Sequence, residues 1–388
     1  MESLRFLIPL LSVEQSAISR RRNWRHIRLI LACLAGLLIN AFIFRPGWGY
    51  DPNRDFLGLY AGGKLAGSAQ LYNAPAVLAV QRQAVGITNA QRLFVRPPFY
   101  AVLLWPLACL PYRAAFLVFQ AIMLAATLAF IWLWRIPSRT AATLACCWSM
   151  PLMGSFAIGQ DIPLLLAVLA GSYLLLVRGR DFHAGMLFSL CAIKPHLFLP
   201  LPIFILAQKR WSFGAGVASG GAVLLALSFL GAGPHWLPLF LNAATQTTTN
   251  PGAELMPNLK AFFVHTPGFE LLSACALAAL LWFLAHRNDL AWSFAAFLAI
   301  GLLTSHHAYV DDCAILLPAL LIVFEQSITD WQRLLVLCLF TPFAYIWLFL
   351  ADGTITRVCL VLFAASFVIA PRFARYSRSE DHPWQIVL

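Results

Sequence analysis

The chain has 388 residues, of which 61% are hydrophobic and 11% are charged, and its formal net charge at pH 7 is +11. Soluble domains carry about 25% charged residues, so this composition excludes a soluble globular protein and predicts an all-α polytopic membrane protein, built as one domain over 1–388. The positive charge fits basic loops on the cytoplasmic side of a lipid bilayer and contact with anionic headgroups. We therefore expect no nucleic-acid partner.

A basic run, RRRNWRHIR (20–28), precedes the first apolar segment. It has the flanks of a membrane anchor and lacks a small-residue cleavage site, so we expect residues 1–28 to stay on the cytoplasmic side rather than to be removed with a signal peptide. Twelve apolar segments follow and predict about 12 transmembrane helices. They are 29–45, 113–134, 140–158, 162–177, 183–194, 197–207, 213–232, 269–286, 290–304, 313–326, 334–351 and 355–370.

The segment PPFYAVLLWPLACLP (97–111) decides the orientation of everything that follows it. If it crossed the bilayer, the basic residues in 178–180 and 208–210 would face outward, against the positive-inside rule. We therefore predict a juxtamembrane or re-entrant helix at this segment. With that choice both termini are cytoplasmic, including the tail 371–388, and a long first loop over 46–112 faces outward.

That first outer loop contains a polar stretch, GYDPNRDFLGLYAGGKLA, with Asp51, Asp55 and Lys64. Ionisable groups near membrane depth are costly and usually mark a function. Such a stretch can hold a carboxylate at the lip of a membrane cavity. Aspartates in loops also form Asx turns and helix N-caps, and the spacing alone leaves both interpretations open.

Two further outward-facing segments contain lysine, histidine and aspartate. In AIKPHLF, Lys194 stands at the end of a short apolar segment and His196 follows it. A lysine bordered by apolar residues suits a buried phosphate, or it extends its ammonium to the membrane interface. SHHAYVDD places His306 and His307 five and four residues before Asp311, which fits a phosphate-binding histidine, a metal pair or a helix cap.

The turn GQD, with Gln160 and Asp161, precedes another apolar segment. It predicts a helix N-terminus whose backbone amides can face an anion. Glycine and aspartate are also ordinary turn and cap residues, so the role of Asp161 stays open.

These segments occur in a fixed order. They are DFLGLYAGGKLAGSAQLYN (55–73), RPPFYAVLLWPLACLPYRAAF (96–116), GQD (159–161), RGRDFHAGMLFSLCAIKPHLFLPLPIFILAQKRW (178–211) and SHHAYVDDCAILLPALL (305–321). With its DF…LY, PPF and KPH elements, this order resembles glycosyltransferase family 87, the polyprenyl-phosphate-mannose-dependent mannosyltransferases of the GT-C fold. The similarity runs over 29–326.

The resemblance implies an inverting hexosyltransferase of the bacterial inner membrane, with its active site open to the periplasm. It implies a polyprenyl-phosphate-linked sugar, mannose first, as donor and a glycolipid or glycan as acceptor, without cofactor or metal. Asp55 matches the family's general base, which takes the proton of the attacking hydroxyl. The residues that would bind the donor phosphate are Lys194, His196, His306 and His307.

An acceptor-binding or auxiliary role falls to a second group, namely Asp51, Lys64, Gln160, Asp161 and Asp311. Asp51 lies one turn from Asp55, so the two can exchange the role of base. The GQD turn departs from the family pattern, in which an amide or a small residue follows the glutamine.

Two other functions are alternatives to an enzyme of this family. A transporter or flippase for lipid-linked saccharides favours charges at mid-membrane and internal repeats, whereas here the polar residues collect on one face and no half-to-half repeat is evident. A polymerase or ligase of surface polysaccharide would need a larger acceptor loop than 233–268 provides.

Overall fold

A computed structural model describes residues 7–45, 54–86, 92–245, 252–326, 329–350 and 353–368, and the structural statements below concern these residues. Within them the chain is helical and forms no strand. The prediction of an all-helical chain is therefore confirmed. Asp51 and the tail 371–388 lie outside the described residues.

The first half of the chain forms α1 (Leu7–Ile43), α2 (Arg54–Lys64), α3 (Ala74–Val85), α4 (Pro98–Ala108), α5 (Tyr112–Leu133), α6 (Arg139–Trp148), α7 (Met150–Ile158), α8 (Ile162–Val177) and α9 (Asp181–Phe188). The second half forms α10 (Leu201–Ala207), α11 (Trp211–Ala232), α12 (Trp236–Thr245), α13 (Leu259–Phe262), α14 (Pro267–Arg287), α15 (Leu290–Thr304), α16 (Leu317–Gln326), α17 (Asp330–Phe340), α18 (Trp347–Leu350) and α19 (Thr354–Ser366). Short 3-10 helices lie between them, at Ser189–Ile193, Pro195–Phe198, Ala253–Leu255, Asp311–Leu316 and Pro342–Ala344.

Among the described residues, four helices are long and apolar enough to cross a membrane. They are His26–Ile43 within α1, and the whole of α5, α11 and α14. A fifth arises if α6 and α7, which meet at a bend of 61°, cross as one broken span. Shorter or interrupted helices occupy the other predicted segments, so the count of twelve spans remains a prediction.

The first helix is longer than predicted. The sequence predicts a segment 1–28 separate from the first span, whereas α1 runs without a break from Leu7 to Ile43. After Pro9 the chain has no glycine or proline until Gly36, so nothing in the backbone interrupts the helix at the basic run.

The predicted outer loop 46–112 contains α2, α3 and α4, each of 11 or 12 residues. At 1.5 Å per residue, a helix of this length is about 16–18 Å long, which is well short of the roughly 30 Å of a bilayer core. The juxtamembrane placement of 97–111 is consistent with this length.

Lys194 stands at a break between helices, and the local sequence explains the break. The 3-10 helix Ser189–Ile193 ends there, and a second one begins at Pro195. Proline has no backbone N–H and disfavours helical geometry in the residue before it. Lys194 accordingly has the non-helical dihedrals φ −128° and ψ 71°.

Burial separates the core from the outer surface. Every residue of α15 from Ala291 to Leu303 is buried, whereas α14 buries only Leu281, Leu284 and Ala285. The exposed leucines and phenylalanines of α14 are those of a helix that faces lipid. The core lies around α8, α15 and α16, and these helices support the polar residues described next.

Candidate active site

Polar side chains from five parts of the chain meet around Asp161. They are Asp55 in the first turn of α2, Arg92 and Arg96 in the segment before α4, Gln160 and Asp161 in the turn between α7 and α8, Lys194 at its helix break, and Asp311 and Asp312 at the start of the 3-10 helix Asp311–Leu316. Four carboxylates and three cations thus form one connected network, to which we refer below as the polar network.

Asp55 is the most accessible carboxylate of this network, with 24% of its side chain exposed. Its Oδ2 accepts a hydrogen bond of 2.6 Å from Nε2 of Gln160, and its Oδ1 lies 3.2 Å from Nε of Arg92. A carboxylate in the first turn of a helix also interacts favourably with the helix N-terminus. Asp55 is therefore held on both oxygens while one side stays open.

The segment that supplies the arginines is held by hydrogen bonds from the buried Gln81 and the half-buried Tyr72. Gln81 of α3 accepts a hydrogen bond from the backbone N–H of Arg92 at 3.4 Å and donates one to the backbone carbonyl of the same residue. The hydroxyl of Tyr72 donates to the carbonyl oxygen of Arg96 at 2.7 Å. These bonds position both arginine side chains against the turn between α7 and α8.

Arg96 uses its guanidinium fork to hold two neighbouring side chains of that turn. Its Nη2 donates to Oε1 of Gln160 at 3.0 Å, and its Nε donates to Oδ2 of Asp161 at 3.2 Å. An arginine can hold two acceptors in one plane because its donors are rigidly arranged. The turn itself needs Gly159, whose φ of +74° is left-handed, and the backbone N–H of Gln160 donates back to the carbonyl of Ser155 at 2.7 Å.

Lys194 is buried, with only 2% of its side chain exposed, and it contacts three carboxylates. Its Nζ lies 2.6 Å from Asp312, 3.6 Å from Asp311 and 3.7 Å from Asp161. A buried ammonium requires such partners. Its charge is therefore compensated inside the protein rather than directed to the surface.

The two adjacent aspartates have different environments. Burial opposes ionisation of Asp312, but Lys194 and the backbone N–H of Tyr309 hold its pKa at about 2. Burial and the neighbouring Asp312 carboxylate raise the pKa of Asp311 to about 7. Near neutral pH, one aspartate of the pair is thus firmly ionised and the other is poised between its two forms.

Two imidazoles lie beside this pair. The rings of His196 and His307 meet edge to face, with centroids 5.7 Å apart. The buried atoms Nε2 of His196 and Nδ1 of His307 have no hydrogen-bond partner within the described parts of the chain. Burial lowers the pKa of His307 to about 4, so this ring is neutral at pH 7 and can give or accept a hydrogen bond.

The structure does not bring His306 and Lys64 into the polar network. His306 is exposed and its Nδ1 lies 3.9 Å from Glu270, which also contacts Lys260. Lys64 is exposed at the far end of α2, with its ammonium 5.7 Å from the centre of the Tyr60 ring.

The sequence also matches a model of a known protein family. The match is to glycosyltransferase family 87, and it covers residues 94–308, which is more than half of the chain. The chain belongs to glycosyltransferase family 87. No curated protein and no solved structure matches it.

Family membership confirms the resemblance seen in the sequence, and the protein is a membrane glycosyltransferase. The matched region includes half of the polar network, namely Arg96, Gln160, Asp161 and Lys194, and both buried histidines. Asp55 and Arg92 precede it, and Asp311 and Asp312 follow it. The fold thus joins residues inside the matched region to residues on either side of it.

Arg92, Arg96 and Asp312 are functional candidates of this glycosyltransferase that only the structure reveals. A signal for the arginines was present, because two cations four residues apart in RLFVRPPF lie in a segment expected to face outward. Asp312 was part of the noted VDD sequence, but only the ion pair with Lys194 distinguishes it from Asp311.

Proposed function

We propose that this glycosyltransferase moves a hexose, with mannose as the leading candidate, from a polyprenyl phosphate to a hydroxyl of a glycolipid or glycan on the periplasmic face. The observation that supports the proposal is the Asp55 carboxylate, which is accessible to a substrate and held by Gln160 and Arg92 at the edge of the polar network. We include in the proposal a GT-C fold of one domain, about twelve spans, both termini in the cytoplasm, and the bacterial inner membrane as location.

The proposed reaction is an inverting displacement. The acceptor oxygen forms a bond to the anomeric carbon while the bond from that carbon to the phosphate oxygen breaks. The acceptor proton passes to the carboxylate of Asp55, because a neutral hydroxyl is a weak nucleophile without a base. The polyprenyl phosphate leaves with the electron pair of the broken bond.

The leaving phosphate needs a cation or hydrogen-bond donors. Arg92 is the accessible cation beside Asp55, with 31% of its side chain exposed, and we assign it the largest share of this role. Lys194 already contacts three carboxylates, so we propose that it mainly stabilises the polar network. It would contact the phosphate directly only if the substrate displaced one of these carboxylates. His196 and His307 are proposed as neutral donors to the phosphate.

The other residues singled out from the sequence have subsidiary roles in the proposal. His306 lies beside Glu270 and Lys64 lies at the end of α2, so we propose both for the rim of the substrate cleft. Asp311 faces the interior of the network and is proposed to help bind the acceptor. Asp51, which lies outside the described residues, is the alternative base.

The test is a transfer assay with purified protein in detergent or nanodiscs. Labelled polyprenyl-phosphate mannose and a bacterial glycolipid extract should yield a labelled glycolipid whose anomeric configuration is opposite to that of the donor. Asp55→Asn should abolish transfer while leaving yield and unfolding temperature near wild type. Asp330→Asn, which makes the same change at a fully exposed aspartate, should retain full activity.

Three results would argue against this function. Absence of transfer from any polyprenyl-phosphate hexose would overturn it. Movement of the intact lipid-linked sugar across a vesicle membrane without covalent change would favour the flippase alternative. Full activity of Asp55→Asn would move the role of base to Asp51 or another residue.

A further inference from the structure

The side-chain amide of Gln160 lies between a cation and a carboxylate, and this fixes which way the amide points. Arg96 has hydrogen-bond donors only, so the atom of Gln160 at 3.0 Å from its Nη2 must be the carbonyl oxygen. The other end, the NH₂ group, then faces Oδ2 of Asp55 at 2.6 Å. An ionised carboxylate only accepts hydrogen bonds, so this orientation satisfies all three groups.

Arg96 cannot easily turn away from this arrangement. Arg96 is only 7% exposed, and its Nε donates a hydrogen bond of 3.2 Å to Oδ2 of Asp161. Asp161 is itself fully buried and lies 3.7 Å from the ammonium of Lys194. The orientation of the Gln160 amide is therefore determined by a buried chain of charges that reaches the interior of the protein.

We infer that Gln160 is the positioning residue for the Asp55 carboxylate, and that Arg96 acts on Asp55 through it. The inference rests on the proposed role of Asp55 as the base. The N–H of Gln160 fixes the plane of the carboxylate and occupies one lone pair of Oδ2. Arg92 occupies a second position at Oδ1, and the exposed part of the carboxylate is where the acceptor hydroxyl would donate its proton.

Gln160 donates a hydrogen bond of 2.6 Å to the Asp55 carboxylate. Other groups act on Asp55 as well. Arg92 contacts its Oδ1, and Tyr309 and Asp311 interact with it electrostatically from the loop after α15 and the 3-10 helix that follows. A change at Gln160 leaves these three in place, so its effect on the pH dependence of the reaction is separable.

The decisive variant is Gln160→Glu, which keeps the size and the acceptor for Arg96 but places a carboxylate oxygen against Asp55. The repulsion should move the acidic limb of the pH–kcat profile up by about one pH unit or more. The KM for the donor should stay within about twofold of wild type. The contact between Gln160 and Asp55 acts on the proton transfer, and loss of an interaction used only in the transition state changes kcat rather than KM. A lowered yield with an unmoved profile would mean a merely structural role and would overturn the inference.

Gln208→Glu is the matched control. Gln208 is also half-buried and donates its amide to Ser293 Oγ at 3.0 Å and to the carbonyl of Asn288 at 3.3 Å, with no contact to the polar network. This variant should lose stability without moving the pH–kcat profile. An equal shift in Gln208→Glu would show that the effect is not specific to Asp55 and would contradict the inference.

Arg96→Lys provides a second test if Gln160→Glu does not fold. Lysine keeps the charge beside Asp161 but lacks the fork that holds Gln160 as well. The Gln160 amide then loses the anchor on its oxygen and can move away from Asp55, so kcat should fall about tenfold to hundredfold while the KM for the donor stays within about twofold. Wild-type kcat in Arg96→Lys would overturn the inference.

Failure of the proposed function has a different signature from failure of this inference. In the first case the wild-type protein transfers no sugar, and Asp55→Asn changes nothing. In the second case the wild type is active and Asp55→Asn is inactive, but Gln160→Glu has the wild-type pH profile and Arg96→Lys has the wild-type kcat.

Discussion

The ammonium of Lys194 lies 2.6 Å from Oδ1 of Asp312, although 118 positions separate the two residues in the chain. Both side chains are almost fully buried. A lysine that looks isolated among apolar residues in the sequence is thus the centre of an ion-pair group that also includes Asp161 and Asp311. This group joins the break after the 3-10 helix Ser189–Ile193 to the turn before α8 and to the start of the 3-10 helix Asp311–Leu316.

The first prediction concerns the stability that this group provides. Lys194→Met removes the ammonium and leaves three buried carboxylates without their shared cation, so it should destabilise the fold by about 3–5 kcal/mol. The measurement is thermal unfolding of the detergent-solubilised protein, followed by tryptophan fluorescence. Adding Asp312→Asn should recover part of the loss, and Lys209→Met at an exposed lysine should change stability by no more than about 0.5 kcal/mol. An unfolding temperature equal to wild type in Lys194→Met would contradict the assignment.

The second prediction concerns Arg92, the accessible cation beside Asp55. Arg92→Met should lower kcat/KM for the lipid-phosphate sugar about a hundredfold to a thousandfold, as does loss of a donor that stabilises developing charge. Arg92→Lys should keep part of the activity, because it retains the charge but not the planar donors. Steady-state kinetics with both variants provide the check. Unchanged kinetics in Arg92→Met would transfer the phosphate-binding role to the histidines.

The third prediction uses two glycines with the same left-handed backbone conformation. Gly159 and Gly179 have φ of +74° and +69°, so alanine at either should cost about 1–2 kcal/mol for the left-handed backbone. At Gly159 the new Cβ would also lie 2.6 Å from Cβ of Phe56, the neighbour of Asp55, whereas at Gly179 nothing lies within 4 Å. Gly159→Ala should therefore be less stable than Gly179→Ala and should also lose transfer activity. Equal unfolding temperatures and equal activities in the two variants would show that the contact with Phe56 is unimportant.

The fourth prediction concerns pH and His307. Burial holds the pKa of His307 at about 4 in the folded protein, against about 6.5 for an unfolded chain. Between these values the unfolded state binds the proton and the folded state does not, so this residue makes stability fall as the pH is lowered from about 6.5 toward 4. Relative to wild type, the unfolding temperature of His307→Asn should therefore rise as the pH is lowered through that window.

Asp311 acts in the opposite direction, because its raised pKa makes the folded state the one that binds the proton between about 4 and 7. Wild type and His307→Asn share this contribution, so their difference isolates the histidine. His26→Asn at an exposed histidine is the control and should follow the wild-type curve. A His307→Asn curve parallel to that of wild type would contradict the prediction.

The fifth prediction concerns orientation in the membrane. In a variant without its nine native cysteines, Gln70→Cys should react with a membrane-impermeant thiol reagent in intact cells. Arg178→Cys should react only after the membrane is opened. Both positions are exposed, so access depends on the side of the membrane. Labelling of position 178 from outside would reverse the proposed topology.

Several elements of the fold were predictable because their signal is local. The long apolar runs of α5, α11 and α14 exceed the length that a membrane span requires, and the structure has continuous helices there. The break at Lys194 was predictable for the same reason, since Pro195 acts on the residue before it. The 61° bend between α6 and α7 was not predicted, although Ser149, whose hydroxyl accepts from the N–H of Leu152, marks a new helix start there.

The sequence alone determined the class of the protein and the positions of its unusual residues. A chain with so few charges must lie mostly in lipid, and each ionisable group near membrane depth stands out because its burial is costly. Asp55, Gln160, Asp161, Lys194 and Asp311 were selected on that basis together with the family resemblance, and all five belong to the polar network.

Only the tertiary structure decided which of these groups pairs with which. The contacts join segments as far apart as 118 positions, so no local pattern encodes that Arg96 holds the Gln160 amide or that Lys194 is compensated by three carboxylates. The interaction energy of two charges depends on the distance between them and on their burial. Helix packing sets both. That packing makes Lys194 an internal support and leaves Asp55 and Arg92 as the accessible pair.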